Sequence, residues 1–252
     1  MNKITLHGFN NLTKNLSFSL YKLHYLQDRT KQSDYNTYIN RHFCAENLNT
    51  LLVKICHAIG GNVLNVAKQD YQPQGASVTL MISEEAQPES LVAHLDKSHI
   101  CIHTYPEESA QDGMCIFRAD IELSTCGVIS PLKVLNYVIE DFNADVVDID
   151  YRVRGMTRDS QGRKLYMDEQ IINISDYLNS VLTAKFRITN HNLTEQNLFH
   201  CKLDKKEILL KDYLFQCNES DLTSLNQCDI KAQVEREIKE LTTTSFILES
   251  RD

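Results

Sequence analysis

Apolar and polar residues alternate along several segments of the chain, and a period of two is typical of half-buried β-strands. The segment 115–123 shows this pattern most cleanly, because Phe117 and Ile121 fall on one face while Arg118, Asp120 and Glu122 fall on the other. We expect strands there and over 17–26, 62–71, 76–83, 98–104 and 146–155.

A helical period of apolar residues appears between these strands. Residues 34–59 carry it, with leucines and isoleucines from Leu48 to Ile59 on one face, and Gly60–Gly61 is a typical helix stop. A second helix is predicted from Pro131, tolerated in the first turn, to about Asn143. Weaker helical patterns occupy 168–181 and 230–241.

The order strand, helix, several strands, helix, strand over 17–155 favours an α+β fold. We expect an α/β sandwich in which an antiparallel sheet carries helices on one face. Residues 84–95 are predicted to be a loop, and residues 156–252 to be a C-terminal extension. Since no linker separates the two parts, 1–252 is interpreted as a single domain.

The charge balance excludes some classes of partner. The chain has 34 acidic and 26 basic residues, which disfavours a nucleic-acid surface. A membrane helix needs a run of about 18 apolar residues, and no apolar run in the chain comes near that length. The first residues lack a signal-peptide pattern. We therefore expect a cytoplasmic protein without a membrane partner, whose eight cysteines stay reduced.

The stretch HLDKSHICIHTYPE, residues 94–107, concentrates groups that can move protons. In a strand, His99, Cys101 and His103 share one face, which suits a metal site or an ordinary polar face. No fourth ligand is near, so the polar face is favoured. Ser98 is a surface hydroxyl or a nucleophile, and nucleophilic use needs a base within about 3 Å. His103 is five residues from Ser98, so the two side chains point to opposite faces of a regular strand. His103 reaches Ser98 only if the strand bends.

Cys126 follows a strand in the sequence STCGV, and Gly127 leaves the backbone room to turn there. A thiol at a strand end can face a cleft, whereas a free cysteine usually behaves as a small buried apolar residue. On the sequence pattern alone, the small buried apolar residue is the favoured interpretation of Cys126. Neither a Walker loop, an H-E-x-x-H motif nor a dinucleotide fingerprint occurs in the chain.

Three motifs in order nevertheless resemble one family. YQPQGASVTLMIS (71–83), HLDKSHICIHTYPE (94–107) and FRADIELSTCGVISP (117–131) closely resemble the bacterial S-adenosylmethionine decarboxylase proenzymes. LHGFNNLTKNLSFSLY (6–21) and IDYRVRGMTRD (149–159) are similar to the longer bacterial branch. Residues 84–95 separate the first two motifs, as in that branch, and this puts the approach of Ser77 to Ser98 in question.

The resemblance implies that the chain cuts itself between Lys97 and Ser98. The products would be a β chain, residues 1–97, and an α chain, residues 98–252, that begins with a covalent pyruvoyl group made from Ser98. His103 corresponds to the family's proton acceptor in this processing, and Ser77 of the G-x-S motif assists it.

The resemblance also implies the reaction that follows. The pyruvoyl group forms a Schiff base with S-adenosylmethionine and takes up the electrons left by carbon dioxide. Cys126 corresponds to the family's proton donor. Glu107 corresponds to the glutamate that bonds the ribose hydroxyls, and Tyr105 and Tyr71 to aromatic residues that stack on adenine and favour the sulfonium charge.

Assembly and specificity complete the expectations. The resemblance implies a homo-oligomer of αβ heterodimers, four in this branch, and a use of Mg²⁺ for which the sequence shows no site. Two alternatives stay open: a pyruvoyl-dependent decarboxylase of ornithine or arginine, and an unprocessed regulatory homologue. Glu107 and the tyrosines argue against the first, and the presence of Ser98, His103 and Cys126 argues against the second.

Overall fold

The alternating segments form one eight-stranded antiparallel sheet in the computed structural model, which describes residues 11–83, 98–126 and 129–243. Its strands are β1 (Thr13–Tyr25), β2 (Asn62–Asp70), β3 (Ala76–Ser83), β4 (His99–Pro106), β5 (Met114–Cys126), β6 (Val146–Arg154), β9 (Phe186–Leu193) and β10 (Leu198–Lys205). They lie in the order β2-β3-β4-β5-β1-β6-β10-β9. A separate two-stranded ribbon joins β7 (Thr157–Arg158) to β8 (Lys164–Leu165).

Within the described residues, five α-helices accompany the sheet: α1 (Gln32–His42), α2 (Ala45–Ile59), α3 (Leu135–Phe142), α4 (Ser180–Lys185) and α5 (Ser224–Thr243). Short 3-10 turns occupy Arg29–Lys31, Pro131–Val134, Ile174–Tyr177, Thr194–Gln196, Leu210–Asp212 and Glu219–Asp221. Within the described ranges, no helix is both long and apolar enough to cross a membrane.

The main core lies between one face of the sheet and the helices α1, α2 and α3. The inward positions of the strands are fully buried there, as at Leu80, Ile102 and Ile121, and they pack against Leu52 and Leu135 of the helices. The predicted α+β fold is confirmed, and the predicted placement of helices on one face of the antiparallel sheet holds for α1, α2 and α3. Helix α5 departs from that prediction, because it packs on the opposite face.

The opposite face of the sheet is polar along most of its length. It carries the alternate side chains of the same strands, among them Ser77, His103, Arg118 and Asp120, which are partly exposed. Helix α5 covers one end of this face, where its Ile230, Val234 and Ile238 pack in a second core with Leu23, Met114 and Val146 of the strands. Within the described residues, the rest of the polar face is not covered by a helix.

The predicted helical segment 34–59 is two helices rather than one. The break falls at Phe43 and Cys44, where the Phe43 ring stacks on Phe117 with the ring centroids 4.1 Å apart. The Asp70 side chain then accepts a hydrogen bond from the Ala45 N–H at 2.7 Å and satisfies one free donor of the first turn of α2. A helical period in the sequence does not reveal such tertiary contacts, so it could not predict the break.

The prediction of a helix over 168–181 is wrong for most of its length. A 3-10 turn at Ile174–Tyr177 replaces it, closed by a capping box between Asn173 and Asp176, and α4 begins only at Ser180. Earlier in this segment, Asp168 is buried against Lys14 of β1. The region 156–252 supplies β9, β10 and α5, so two of its strands continue the sheet begun by the first part of the chain.

Candidate active site

Ser98 and Cys126 meet at one end of the sheet. Ser98 immediately precedes β4, Cys126 is the last residue of β5, and the register that places His99 opposite Ser124 brings the two ends together. The Cys126 N–H donates to Ser98 Oγ at 3.3 Å, and Ser98 Oγ lies 3.4 Å from Cys126 Sγ. Ser98 is buried at 5% exposure, whereas Cys126 is partly exposed. Of the two sequence interpretations of Cys126, the geometry supports a thiol that faces a neighbouring functional group.

The backbone of Ser98 is held as firmly as its side chain. Its carbonyl accepts a hydrogen bond from the Ile82 N–H of β3 at 3.2 Å. A serine hydroxyl that is buried and already bonded to a backbone N–H loses little freedom when it reacts. The carbonyl that it would attack belongs to Lys97, which lies outside the described residues, as does the predicted loop 84–95.

Ser77 and His103 form a second group on the polar face. They stand directly opposite each other in the β3–β4 register, so their side chains share that face. The Tyr71 hydroxyl and Ser77 Oγ are 2.8 Å apart and share a hydrogen bond. Tyr105, two residues beyond His103, is 47% exposed. Four of the residues predicted for the site therefore gather here.

Arg118 is a member of this second group that the sequence reasoning did not select. Its guanidinium carbon lies 4.3 Å from the centroid of the Tyr105 ring, which is a cation–π contact, and its Nη2 lies 3.3 Å from Asp120 Oδ2. The only signal in the sequence is its place on the polar face of an alternating strand.

The two groups are far apart within one chain. His103 is five residues from Ser98 along a strand that rises about 3.3 Å per residue, so about 16 Å separates them. The pairing of β4 with β3 and β5 proceeds without a register shift, so β4 lacks the bend that a contact between Ser98 and His103 requires. The chain thus places a nucleophile and a thiol at one point of the sheet and the predicted base at another.

Glu107 lies farther still, just beyond the other end of β4. Its Oε2 accepts a hydrogen bond from the Ile116 N–H at 2.7 Å. Burial raises the pKa of the Glu107 carboxyl, and the Ile116 hydrogen bond opposes that rise. Nine residues of extended chain span about 30 Å, which is more than one small molecule can bridge. Ser98 and Glu107 of the same chain therefore do not meet on one ligand.

The predicted metal and polar-face interpretations of β4 can also be compared. His99, Cys101 and His103 do alternate on the polar face, and burial raises the pKa of the Cys101 thiol, with Glu122 across the strands adding to the rise. In the parts of the chain that the structure describes, no three His, Cys, Asp or Glu side chains gather closely enough to hold a metal ion. Among these residues, no such cluster marks a place for Mg²⁺.

Known proteins resemble this chain along almost all of its length. Residues 42–155 match the family model described as S-adenosylmethionine decarboxylase. The chain is 46% identical over 255 aligned residues to the S-adenosylmethionine decarboxylase proenzyme of Escherichia coli (strain K12 / DH10B), with 96% of this chain and 97% of that protein covered. The proenzyme of Salmonella arizonae is similar to the same degree, 46% identical with the same coverage.

A solved structure shows a more distant likeness. The adenosylmethionine decarboxylase from Aquifex aeolicus vf5 is 18% identical, with a TM-score of 0.37, over 65% of this chain and 100% of that chain. Such a low score carries no argument about the site. The identity of nearly half of all residues over 96% of the chain is decisive instead, and by that measure the chain belongs to the S-adenosylmethionine decarboxylase family.

Proposed function

We propose that this chain is a self-cleaving, pyruvoyl-dependent decarboxylase that converts S-adenosylmethionine to S-adenosylmethioninamine and carbon dioxide. The product would be the aminopropyl donor for spermidine synthesis. The observation that carries the proposal is the contact of Ser98 Oγ with both the backbone N–H and the thiol of Cys126. The relatives named as proenzymes of this activity support it.

The first reaction is the cut between Lys97 and Ser98. The Ser98 hydroxyl attacks the Lys97 carbonyl, and the peptide bond is exchanged for an ester. A base then removes the α-hydrogen of residue 98, the Lys97 carboxylate leaves, and a dehydroalanine remains. Water hydrolyses it to a pyruvoyl group and ammonia. The N–H of Cys126 supports the first step because it holds Oγ in place, and His103 is the proposed base.

The second reaction is decarboxylation. A pyruvoyl group at residue 98 would supply a carbonyl able to condense with the substrate amine and to withdraw the electrons that carbon dioxide leaves behind. Cys126 then protonates the product carbon, a role for which a neutral thiol is suited. Its Sγ lies 3.4 Å from the oxygen of residue 98, so the donor is already beside the reacting group.

The active site is completed by a second copy of the chain. The distance of about 16 Å along β4 keeps His103 from Ser98 of its own chain. The part of the polar face that carries Ser77 and His103 is partly exposed and, within the described residues, is not covered by a helix, so a second copy can lie against it.

A two-fold arrangement satisfies both observations, because it presents the same patch on both copies. Each site would then combine Ser98 and Cys126 of one copy with the partner's Ser77, His103 and Glu107. Tyr71 and Tyr105 lie with Ser77 and His103 and would enter the site from the same side. This pair of αβ heterodimers would be the unit from which an assembly of four heterodimers is built.

Mixed copies test this sharing directly. We expect that Ser98→Ala and His103→Ala chains each stay uncut when expressed alone. When they are expressed together, the His103→Ala chain should be cut, because its Ser98 meets the His103 that the Ser98→Ala chain retains. Denaturing gels with differently tagged chains measure this. If none of the His103→Ala chain were cut in the mixture, at a concentration at which the wild type is fully cut, a shared site would be contradicted. Mixing His103→Ala with Ser98→Ala/His103→Ala chains is the control that must stay uncut, because it keeps one Ser98 but supplies no His103.

Intact-mass spectrometry and a carbon dioxide assay test the function as a whole. The denatured wild-type protein should give two chains, 1–97 and 98–252, and the larger chain should lack a free N-terminal amine. Labelled carbon dioxide should be released from S-adenosylmethionine and not from ornithine or arginine, with arms containing magnesium chloride or EDTA. A single chain of 252 residues after long incubation would instead support an unprocessed regulatory homologue.

A further inference from the structure

Lys14 of β1 is a buried cation close to the proposed active site. Its residue is 1% exposed, yet in the alternation of β1 it occupies an inward position between Leu12 and Leu16. Lys14 Nζ lies 2.5 Å from Asp168 Oδ2, and the Asp168 side chain is only 8% exposed. An ammonium group in such a place is tolerated only when a counter-charge and hydrogen-bond acceptors surround it.

The second acceptor of this ammonium belongs to the chain that follows Cys126. Lys14 Nζ donates to the carbonyl oxygen of Ile129 at 3.1 Å. The Thr125 hydroxyl donates to the same carbonyl at 3.4 Å. In the β1–β5 register, Lys14 stands opposite Thr125, and its neighbour Thr13 stands opposite Cys126. Thr125, directly before Cys126, and Ile129, the next described residue after it, are thus both tied to Lys14.

We propose that the Lys14–Asp168 pair positions the proton donor of the proposed reaction. The pair anchors the Ile129 carbonyl and so fixes where β5 ends. The position of the strand end in turn holds the N–H and the thiol of Cys126 against residue 98. Neither Lys14 nor Asp168 touches the reacting atoms, so both are positioning residues. The inference rests on the proposed decarboxylase function and adds to it a task for the C-terminal region, since Asp168 lies beyond residues 42–155 of the family match.

A misplaced donor has a chemical signature that a loss of stability does not share. After carbon dioxide leaves, the electron pair is shared between the substrate carbon and the carbon of residue 98. If the proton is delivered to the α-carbon of residue 98 instead of the substrate carbon, the C=N double bond then joins the nitrogen to the substrate carbon. One water hydrolyses that bond, which releases the substrate part as an aldehyde and leaves residue 98 as alanine with a free amine. N-terminal sequencing detects that alanine and does not detect a pyruvoyl group.

The test compares the wild type with the double variant Lys14→Met/Asp168→Leu and the single variant Asp168→Asn. Replacing both members of a buried ion pair by apolar residues of similar volume is often neutral for stability, so the double variant is expected to fold. Lys22→Met is the matched control. Lys22 lies on the same strand, eight residues away, and pairs with buried Asp145 at 3.2 Å, while Asp145 keeps Lys205 at 2.8 Å.

The double variant should self-cleave more slowly and lose about 10²-fold in kcat, the scale of a 1 Å misplacement of catalytic groups. Per turnover, it should form N-terminal alanine more often than the wild type, and Asp168→Asn should change in the same direction. Lys22→Met should keep the wild-type ratio of alanine to product. Folded variants with the wild-type cleavage rate, kcat and alanine ratio would overturn this inference alone. A wild type that neither cleaves nor releases carbon dioxide would overturn the proposed function with it.

Discussion

Replacement of Ser98 by alanine is expected to leave a single chain of 252 residues that releases no carbon dioxide. Alanine removes the Oγ that the Cys126 N–H holds at 3.3 Å, and without a nucleophile neither the ester nor the pyruvoyl group can form. The fold should survive, because the substitution removes one atom from a strand end. Intact-mass spectrometry and a thermal melt of the same sample would measure both effects.

An exposed serine that has no role in the proposed site provides the comparison. Ser109 lies in the exposed turn between β4 and β5, where its Oγ accepts a hydrogen bond from Gln111 at 3.5 Å. Ser109→Ala should be cut as fast as the wild type and keep full activity. If Ser98→Ala were still cut at the same bond, or still released carbon dioxide after purification, Ser98 would not be the source of the pyruvoyl group.

Replacement of Cys126 by alanine should separate the two reactions. Self-cleavage should continue, because its support comes from the backbone N–H of residue 126, which alanine retains. Decarboxylation should fall by about 10²- to 10⁴-fold in kcat, the range that general acid catalysis usually contributes. The surviving turnovers should leave alanine at position 98 more often than in the wild type.

Cys228 offers a matched thiol, since it is exposed on α5 and far in sequence from β4 and β5. Cys228→Ala should match the wild type in kcat and in its pyruvoyl content. A Cys126→Ala enzyme with wild-type kcat would exclude the thiol as proton donor, even if cleavage were normal. The two variants together therefore distinguish the role of the thiol from the role of the backbone beside it.

The strands were predictable because each buries one face and leaves the other polar, so apolar and polar residues alternate along its sequence. β5, predicted over 115–123, extends over Met114–Cys126, and β3 has the predicted bounds 76–83. The helix break at Phe43 and the irregular course after Asp168 were missed. Both depend on partners that are distant in sequence, Phe117 in one case and Lys14 in the other.

The candidate site was predictable as a set of residues but not as an arrangement. The motifs identify Ser98, Cys126, Ser77 and His103, and the structure gathers them in pairs, Ser98 with Cys126 and Ser77 with His103. Which pair belongs to which end of the sheet follows from strand register, and a one-dimensional pattern does not specify register between strands. The inward position of Lys14 was visible in the alternation, but its partners were not.

The strand order has a consequence for a chain cut after Lys97. The fragment 1–97 would keep β1, β2 and β3, and the fragment 98–252 would keep the other strands of the sheet. Yet β1 lies between β5 and β6, and β3 lies beside β4, so the two fragments are interleaved within a single sheet. Separating them would break both ladders of β1 and the β3–β4 ladder at once. The cut therefore creates two new termini, but both fragments stay in one folded unit. The mature protein should dissociate into its two fragments only when the sheet itself unfolds.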